Sequence, residues 1–436
     1  MKKLLVSIFS IVFSTAVFSQ NIISISKAEL ESKSLDENLQ VKLAKAEINL
    51  AQSELLGSRA AYLPDIKASY TFTHTNNPLM AFGSKLNQER ISMMDFNPDD
   101  LNNPKGISNF ATKVEVLQPI INMDAMYLKK AGEVKVEALK MKAERTHEYL
   151  LFELKKAYGM LQLAYKMEET LQNAKQTTLE NKKVIDNYFK NGIIQKSDVL
   201  YIEVRLSEIN SQLQLANSNI KNASDYLFFL LNEDKSGKIF KPSENLVYNN
   251  SFLLNPTLLN ENRKDIRAYQ KSLEAYDWMD KASKSKFLPR LNAFGSFEMH
   301  DRKIASFDAN GYLAGLQLSW NVFDGLKAKS EQEKIKSERT KAKLEIEQYT
   351  KQSQLELSKA ERQIADADDK VTFTQLALEQ SAEAYRIRKN RYDQGLEKSS
   401  DLLTAETLMS QKELEMQQAI FEYNTAVDYY QFLQSK

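Results

Sequence analysis

The sequence predicts a mostly α-helical chain with a β-barrel part, built from two copies of a helix–strand–strand–helix unit. Three observations carry this. A stretch from Phe189-Lys190-Asn191-Gly192 to Ser197-Asp198-Val199-Leu200 returns 203 residues later as Tyr392-Asp393-Gln394-Gly395 to Ser400-Asp401-Leu402-Leu403. Self-similarity of this kind marks a duplicated architecture. Glycine (12) and proline (8) are scarce among 436 residues while charged residues make up 27%, a composition of long helices. Four short segments alternate apolar and polar residues, the period-two signature of strands with one greasy face.

The chain opens with Met1-Lys2-Lys3 and an apolar run from Leu4 to Phe18, with small residues at Val17 and Ser19. This reads as a secretory signal peptide over 1–19. No later stretch approaches the roughly 18 apolar residues of a membrane-spanning helix. There is no cysteine, hence no disulfide, no thiol chemistry and no lipid-modified cysteine. The combination suits a bacterial cell envelope. A formal net charge of +1 leaves no basic excess for phosphates, so nucleic acid is not an expected partner.

The elements follow in order. Residues 20–65 hold the first-repeat helix, read over 28–62 and stopped by Tyr62-Leu63-Pro64, because proline cannot continue a helix. Residues 66–121 hold two strands, Ile66–His74 and Phe110–Val116, around a long irregular external loop at 75–107; Gln118-Pro119 ends the second strand. Residues 122–231 form a helical hairpin with its tip near 188–198, and the first arm, Asp124 to Asn187, would be roughly 95 Å long at 1.5 Å per residue. An irregular connector at 232–262 carries Gly237, Pro242 and Pro256. The second copy replays the order. A helix at 263–290 ends in Phe287-Leu288-Pro289-Arg290-Leu291, and 291–322 holds strands Leu291–Met299 and Tyr312–Val322. A second hairpin, 323–436, has its tip near 391–401.

In each half the two shorter helices sum to nearly the length of the long one, so stacked end to end they would make a cylinder wall of uniform height. Val199, Ile202, Leu206, Ile209, Leu213, Ala216, Ile220, Ala223, Leu227 and Leu230 step by three and four without a break, an a/d coiled-coil stripe. Leu402, Ala405, Met409, Met416, Ala419, Tyr423, Ala426, Tyr430 and Leu433 repeat it, broken only by Lys412.

Each strand is about as long as an outer-membrane barrel strand. Tyr70, Phe72, Phe110, Phe297, Tyr312 and Trp320 mark the greasy faces; Lys67, Thr71, Lys113, Glu115, Asn292, Glu298, Gln317 and Asn321 mark the others. The alternation fits lipid on one side and water on the other, and an ordinary sheet over a helix layer stays open as the alternative. Four strands cannot close a barrel, and an open sheet edge cannot sit in lipid. Chains must then combine, and a conduit favours about twelve strands from three chains over eight from two.

The duplicated order, with Phe287–Leu291, Val322-Phe323-Asp324-Gly325 and the run Tyr392-x-x-Gly395 to Asp401-Leu402-Leu403-x-Ala405-Glu406, resembles the TolC-type outer membrane efflux protein family over essentially all of the mature chain. The resemblance implies a homotrimer with a twelve-stranded outer-membrane β-barrel, a long periplasmic α-helical barrel, and an equatorial belt including 232–262. It implies a passive exit duct in outer-membrane lipid that docks on a periplasmic adaptor protein and, through it, an inner-membrane transporter of an efflux or type I secretion system. The entrance would be lined by Asp401, with Asp198 its first-repeat counterpart. Tyr392 and its counterpart Phe189 would help hold it shut. Gly192, Ile193, Gly395 and Leu396 would form the adaptor-docking tips. Two positions depart from the family pattern: Glu397 stands where a basic residue is common, and Thr404 where a second acidic one is. Three copies of Asp401 around one axis would form a ring favouring cations.

Other chemistry finds no support in the residues. His74, His147 and His300 show no ligand spacing, Asp366, Asp368 and Asp369 lie mid-helix, and no nucleophile elbow is present. No enzyme activity, cofactor or metal is expected. Asp198 and Asp401 each also fit a helix-capping role. An exported coiled-coil structural or interaction protein without a pore is the alternative function, and the four strand patterns argue against it.

Overall fold

The computed structural model describes residues 21–33, 35–250, 252 and 258–435. The signal-peptide reading at 1–19 and connector residues 251 and 253–257 lie outside the described residues. The strands are β1 Asn21–Ile25, β2 Asp65–Thr75, β3 Ile107–Ile121, β4 Lys238–Pro242, β5 Arg290–Asp301 and β6 Ala309–Ser319. The helices are α1 Lys27–Ser32, α2 Leu39–Gly57, α3 Pro78–Asn87, α4 Pro98–Asn102, α5 Met123–Lys190, α6 Lys196–Leu231, α7 Lys264–Ser285, α8 Lys327–Asp393 and α9 Ser399–Gln434. The predicted fold class holds: long helices dominate, and each half carries one antiparallel strand pair.

The contacts divide the chain into two units. One comprises 44–143 and 264–350 and contains a four-stranded antiparallel sheet in the order β2-β3-β5-β6. Its register aligns the predicted faces across all four strands. Phe72 faces Phe110, Val114 faces Phe297, and Phe297 faces Tyr312. Ile66, Tyr70, Leu316 and Leu318 share that apolar side, where most side chains stand exposed. The other side carries Lys113, which pairs with Glu115 at 2.8 Å and Glu298 at 3.0 Å. A one-residue slip anywhere would mix the two sides. Gly315 lies under the Phe294 ring, which a Cβ would strike at 2.8 Å.

Four sequence expectations need correction. The helix expected over 28–62 breaks after α1, and Asn38 restarts it, its side chain accepting from the Gln40 amide at 2.8 Å. The stretch 75–107 is not wholly irregular: it holds α3, a 3₁₀ turn at Met93–Phe96 and α4. Two of its Asn-Pro pairs act as helix starts, with Asn77 and Asn97 as N-caps and Pro78 and Pro98 in the first turn. β3 continues through Pro119 to Ile121, the proline being accommodated at a register shift. Finally, β6 stops at Ser319, leaving Trp320 and Val322 outside it.

The helices of this unit are tied by side chains. Glu54 of α2 pairs with Lys135 of α5 at 2.8 Å, Glu137 of α5 with Lys271 of α7 at 2.9 Å, and Tyr269 of α7 packs on Tyr349 of α8 at 4.8 Å.

The second unit comprises 1–43, 144–263 and 351–436. β1 and β4 pair in parallel, a two-stranded element the sequence reading did not contain. Ile25, Leu30, Leu35, Leu154, Leu227 and Phe240 form one core with it. The heptad stripe of α6 is buried at every position except the half-buried Leu206. The end of α9 is held by two arginines. Arg145 donates to the Phe432 carbonyl at 2.9 Å and Arg263, fully buried, donates to Ser353 Oγ at 3.0 Å and the Leu433 carbonyl at 3.5 Å. Cations there also complement the helix dipole.

Candidate functional site

Both hairpin turns lie in the second unit and are built alike. Gly192 has φ +73° and its amide donates to the Phe189 carbonyl at 3.0 Å, while the Ile193 amide reaches back to Tyr188 at 2.9 Å. Gly395 has φ +73° and donates to Tyr392 at 2.9 Å, with the Leu396 amide on Arg391 at 2.9 Å. This six-to-one bond with a left-handed residue is the Schellman termination. It leaves Ile193 and Leu396 exposed beside the glycines.

Beyond the turns the copies diverge. The Gln195 amide donates to Asp198 Oδ2 at 3.1 Å, so Asp198 closes a capping box at the start of α6. Asp401 makes no such bond. Its side chain is about half exposed, with Ser400 Oγ at 3.4 Å and an Arg388 nitrogen at 4.0 Å. Both aspartates thus stand in the first turn of their helices, and only Asp198 caps its helix with the side chain.

The aromatics diverge too. Tyr392 is buried at 3% exposure among Ile185, Val199, Ile202, Leu402 and Leu403. Its ring lies 5.8 Å from Tyr188, its hydroxyl is 3.3 Å from Ser399 Oγ, and burial pushes the phenol above its ordinary range. Phe189 is exposed, with Lys196 over its ring at 5.6 Å.

Glu397 accepts from Arg388 at 2.8 Å and Arg391 at 2.9 Å, one arginine on each carboxylate oxygen. The turn itself brings them together, because Arg388 and Arg391 lie one turn apart on α8 and Glu397 lies just past Gly395. The corresponding first-copy positions are Ile185, Tyr188 and Ile194, all in the apolar cluster. The second turn therefore carries an ion-pair bridge at positions where the first presents apolar side chains. The sequence reading named Glu397 but missed both arginines.

It also missed an ion pair deeper between α6 and α9. Glu406 is fully buried and Arg205 nearly so, with Nε to Oε2 at 3.3 Å. Burial pushes the Glu406 carboxyl up, and the Arg205 guanidinium opposes this only in part. Among the described residues, no group of histidine and acidic side chains could hold a metal ion.

Residues 255–428 match the model of the outer membrane efflux protein family. No curated protein sequence matches the chain. Among solved structures, CusC superposes with a TM-score of 0.80 at 14% identity, over 94% of this chain and 92% of CusC. The open state of the MtrE outer membrane channel of Neisseria gonorrhoeae gives 0.77 at 15% identity, over 94% and 89%. The outer membrane protein VceC of Vibrio cholerae gives 0.75 at 16% identity, over 92% and 96%. The chain thus shares the fold of these proteins over more than nine-tenths of its length, and its residues 255–428 match the outer membrane efflux protein family.

Proposed function

We propose that three copies of this chain form a passive exit duct in the bacterial outer membrane, extending into the periplasm. The observation that carries this is the sheet. It has one continuous apolar side, one polar side with buttressed charges, and two unpaired edges, β2 and β6. Such a sheet is stable in lipid only when both edges find partners, which three copies supply as a twelve-stranded barrel. The polar side would then line a water-filled lumen. The homotrimer, the adaptor docking on Ile193 and Leu396 beside their glycines, and the inner-membrane transporter reached through the adaptor belong to the same reading. A duct does no chemistry, so no catalytic group is invoked.

Asp401 is the half-exposed carboxylate at the entrance in this reading, and three of them would draw cations. The test is single-channel conductance of the purified protein in planar bilayers. The wild type is expected to give a small cation-selective pore, and Asp401→Ala a pore with reduced selectivity. A soluble, elongated species with no detergent requirement would replace the duct by the exported coiled-coil protein.

A further inference from the structure

We infer the register of the seam at which β6 of one copy meets β2 of the next; the inference rests on the duct reading above. The two hairpins are repeats of each other. Asp65 faces Leu117 in the first and Arg290 faces Ser319 in the second, so β2 corresponds to β5 and β3 to β6, residue by residue. The chain already contains one junction between hairpins, β3 against β5, and the closing seam is its repeat equivalent. In that junction Val114 faces Phe297, Glu115 faces Ser296 and Leu117 faces Phe294. Substituting counterparts sets Leu316 against Phe72 of the second copy, Gln317 against Thr71, and Ser319 against Ser69.

Two features of the chain agree with this seam independently. Leu316 and Phe72 both belong to the apolar side, and Gln317 and Thr71 both to the polar side; a slip of one residue would have crossed them. The strand lengths also agree. β3 runs past its last pairing with β2 at Leu117 because β5 pairs with Gln118 to Ile121. β6 stops at Ser319, where its only partner ends. In the seam Trp320 and Asn321 gain Ala68 and Lys67 as partners and extend β6 as β3 is extended.

The chain has no cysteine, so engineered pairs read this register without background. Facing residues can be bridged, whereas those displaced by two along the strand lie about 7–8 Å apart, beyond disulfide reach. Adjacent facing pairs alternate in separation, so two are tested: Gln317→Cys with Thr71→Cys, and Leu316→Cys with Phe72→Cys. The controls are Gln317→Cys with Ser69→Cys and with Thr73→Cys. After mild oxidation of the full-length trimer in detergent, at least one facing pair should convert most of the protein to covalent oligomers on a denaturing gel, and both controls should stay monomeric. Bridging in a control, or in no pair of a protein that still forms a conducting trimer, overturns the register and leaves the duct. A protein that stays monomeric and forms no pore overturns both.

Discussion

Glu397 is held by two arginines, and what it withholds from Asp401 follows from distance. Arg388 already lies 4.0 Å from Asp401 while bonded to Glu397 at 2.8 Å. In Glu397→Ala the freed Arg388 is expected to close on Asp401 and neutralise it. The pore should lose much of its cation selectivity although Asp401 is intact. The reversal potential under a salt gradient measures this, and unchanged selectivity would remove Arg388 from the entrance. Because both arginines are about half exposed, the stability cost should be only about 1 kcal/mol. This site was partly legible in the sequence. The glycines and the aspartates recur at repeat-related positions, and repetition makes them visible; Glu397, matched by Ile194, stood out only as a departure from the pattern of the family the sequence resembles. The arginines do not repeat, being matched by Ile185 and Tyr188, so nothing in the linear pattern set them apart from other α8 surface charges.

Between elements, the pair Arg205–Glu406 joins α6 to α9, and its burial decides its behaviour. Removing one partner leaves a charge without compensation, at a cost of about 3–5 kcal/mol. Arg205→Met should therefore lower stability sharply, while Arg205→Met with Glu406→Met should recover most of it. Denaturant titration of the four members of this cycle checks the claim, and additive losses would count against it. The pair also sets a pH dependence. Burial holds the Glu406 carboxyl above its ordinary 4.5, so the folded chain keeps this proton to higher pH than the unfolded one. Its contribution to stability is then lost as pH rises from 4.5 through the folded value. Glu406→Gln should flatten that part of the stability profile. The heptad stripes around the pair were readable because a three-four spacing depends on sequence alone. The pair was not, because Arg205 and Glu406 sit one residue from stripe positions and meet only once two distant helices pack. The same holds for β1 and β4, five-residue strands whose parallel partner lies more than two hundred residues away.

At the scale of the whole molecule, the four strands were the most legible element and their faces the most consequential. Alternation fixed which residues share a side, because a strand turns over at every residue. It could not fix the ends. Pro119 reads as a terminator, yet pairing with β5 carries β3 past it, while β6 lacks that support and stops early. The faces also separate a membrane duct from a soluble coiled-coil protein. Leu316 and Gln317 are adjacent, lie on opposite sides of β6, and are both exposed in the single chain. If the apolar side meets lipid, Leu316→Arg puts a cation into hydrocarbon, at a cost of about 2–4 kcal/mol near the midplane, whereas Gln317→Arg adds a charge to water. Leu316→Arg should deplete assembled trimer from outer membranes and lower its thermal dissociation temperature, and Gln317→Arg should leave both near wild type while shifting pore selectivity toward anions. In a water-soluble protein both faces meet solvent and the two substitutions should behave alike. Equal tolerance of both in isolated membranes would therefore remove lipid from the apolar side, and with it the reason for the sheet to close.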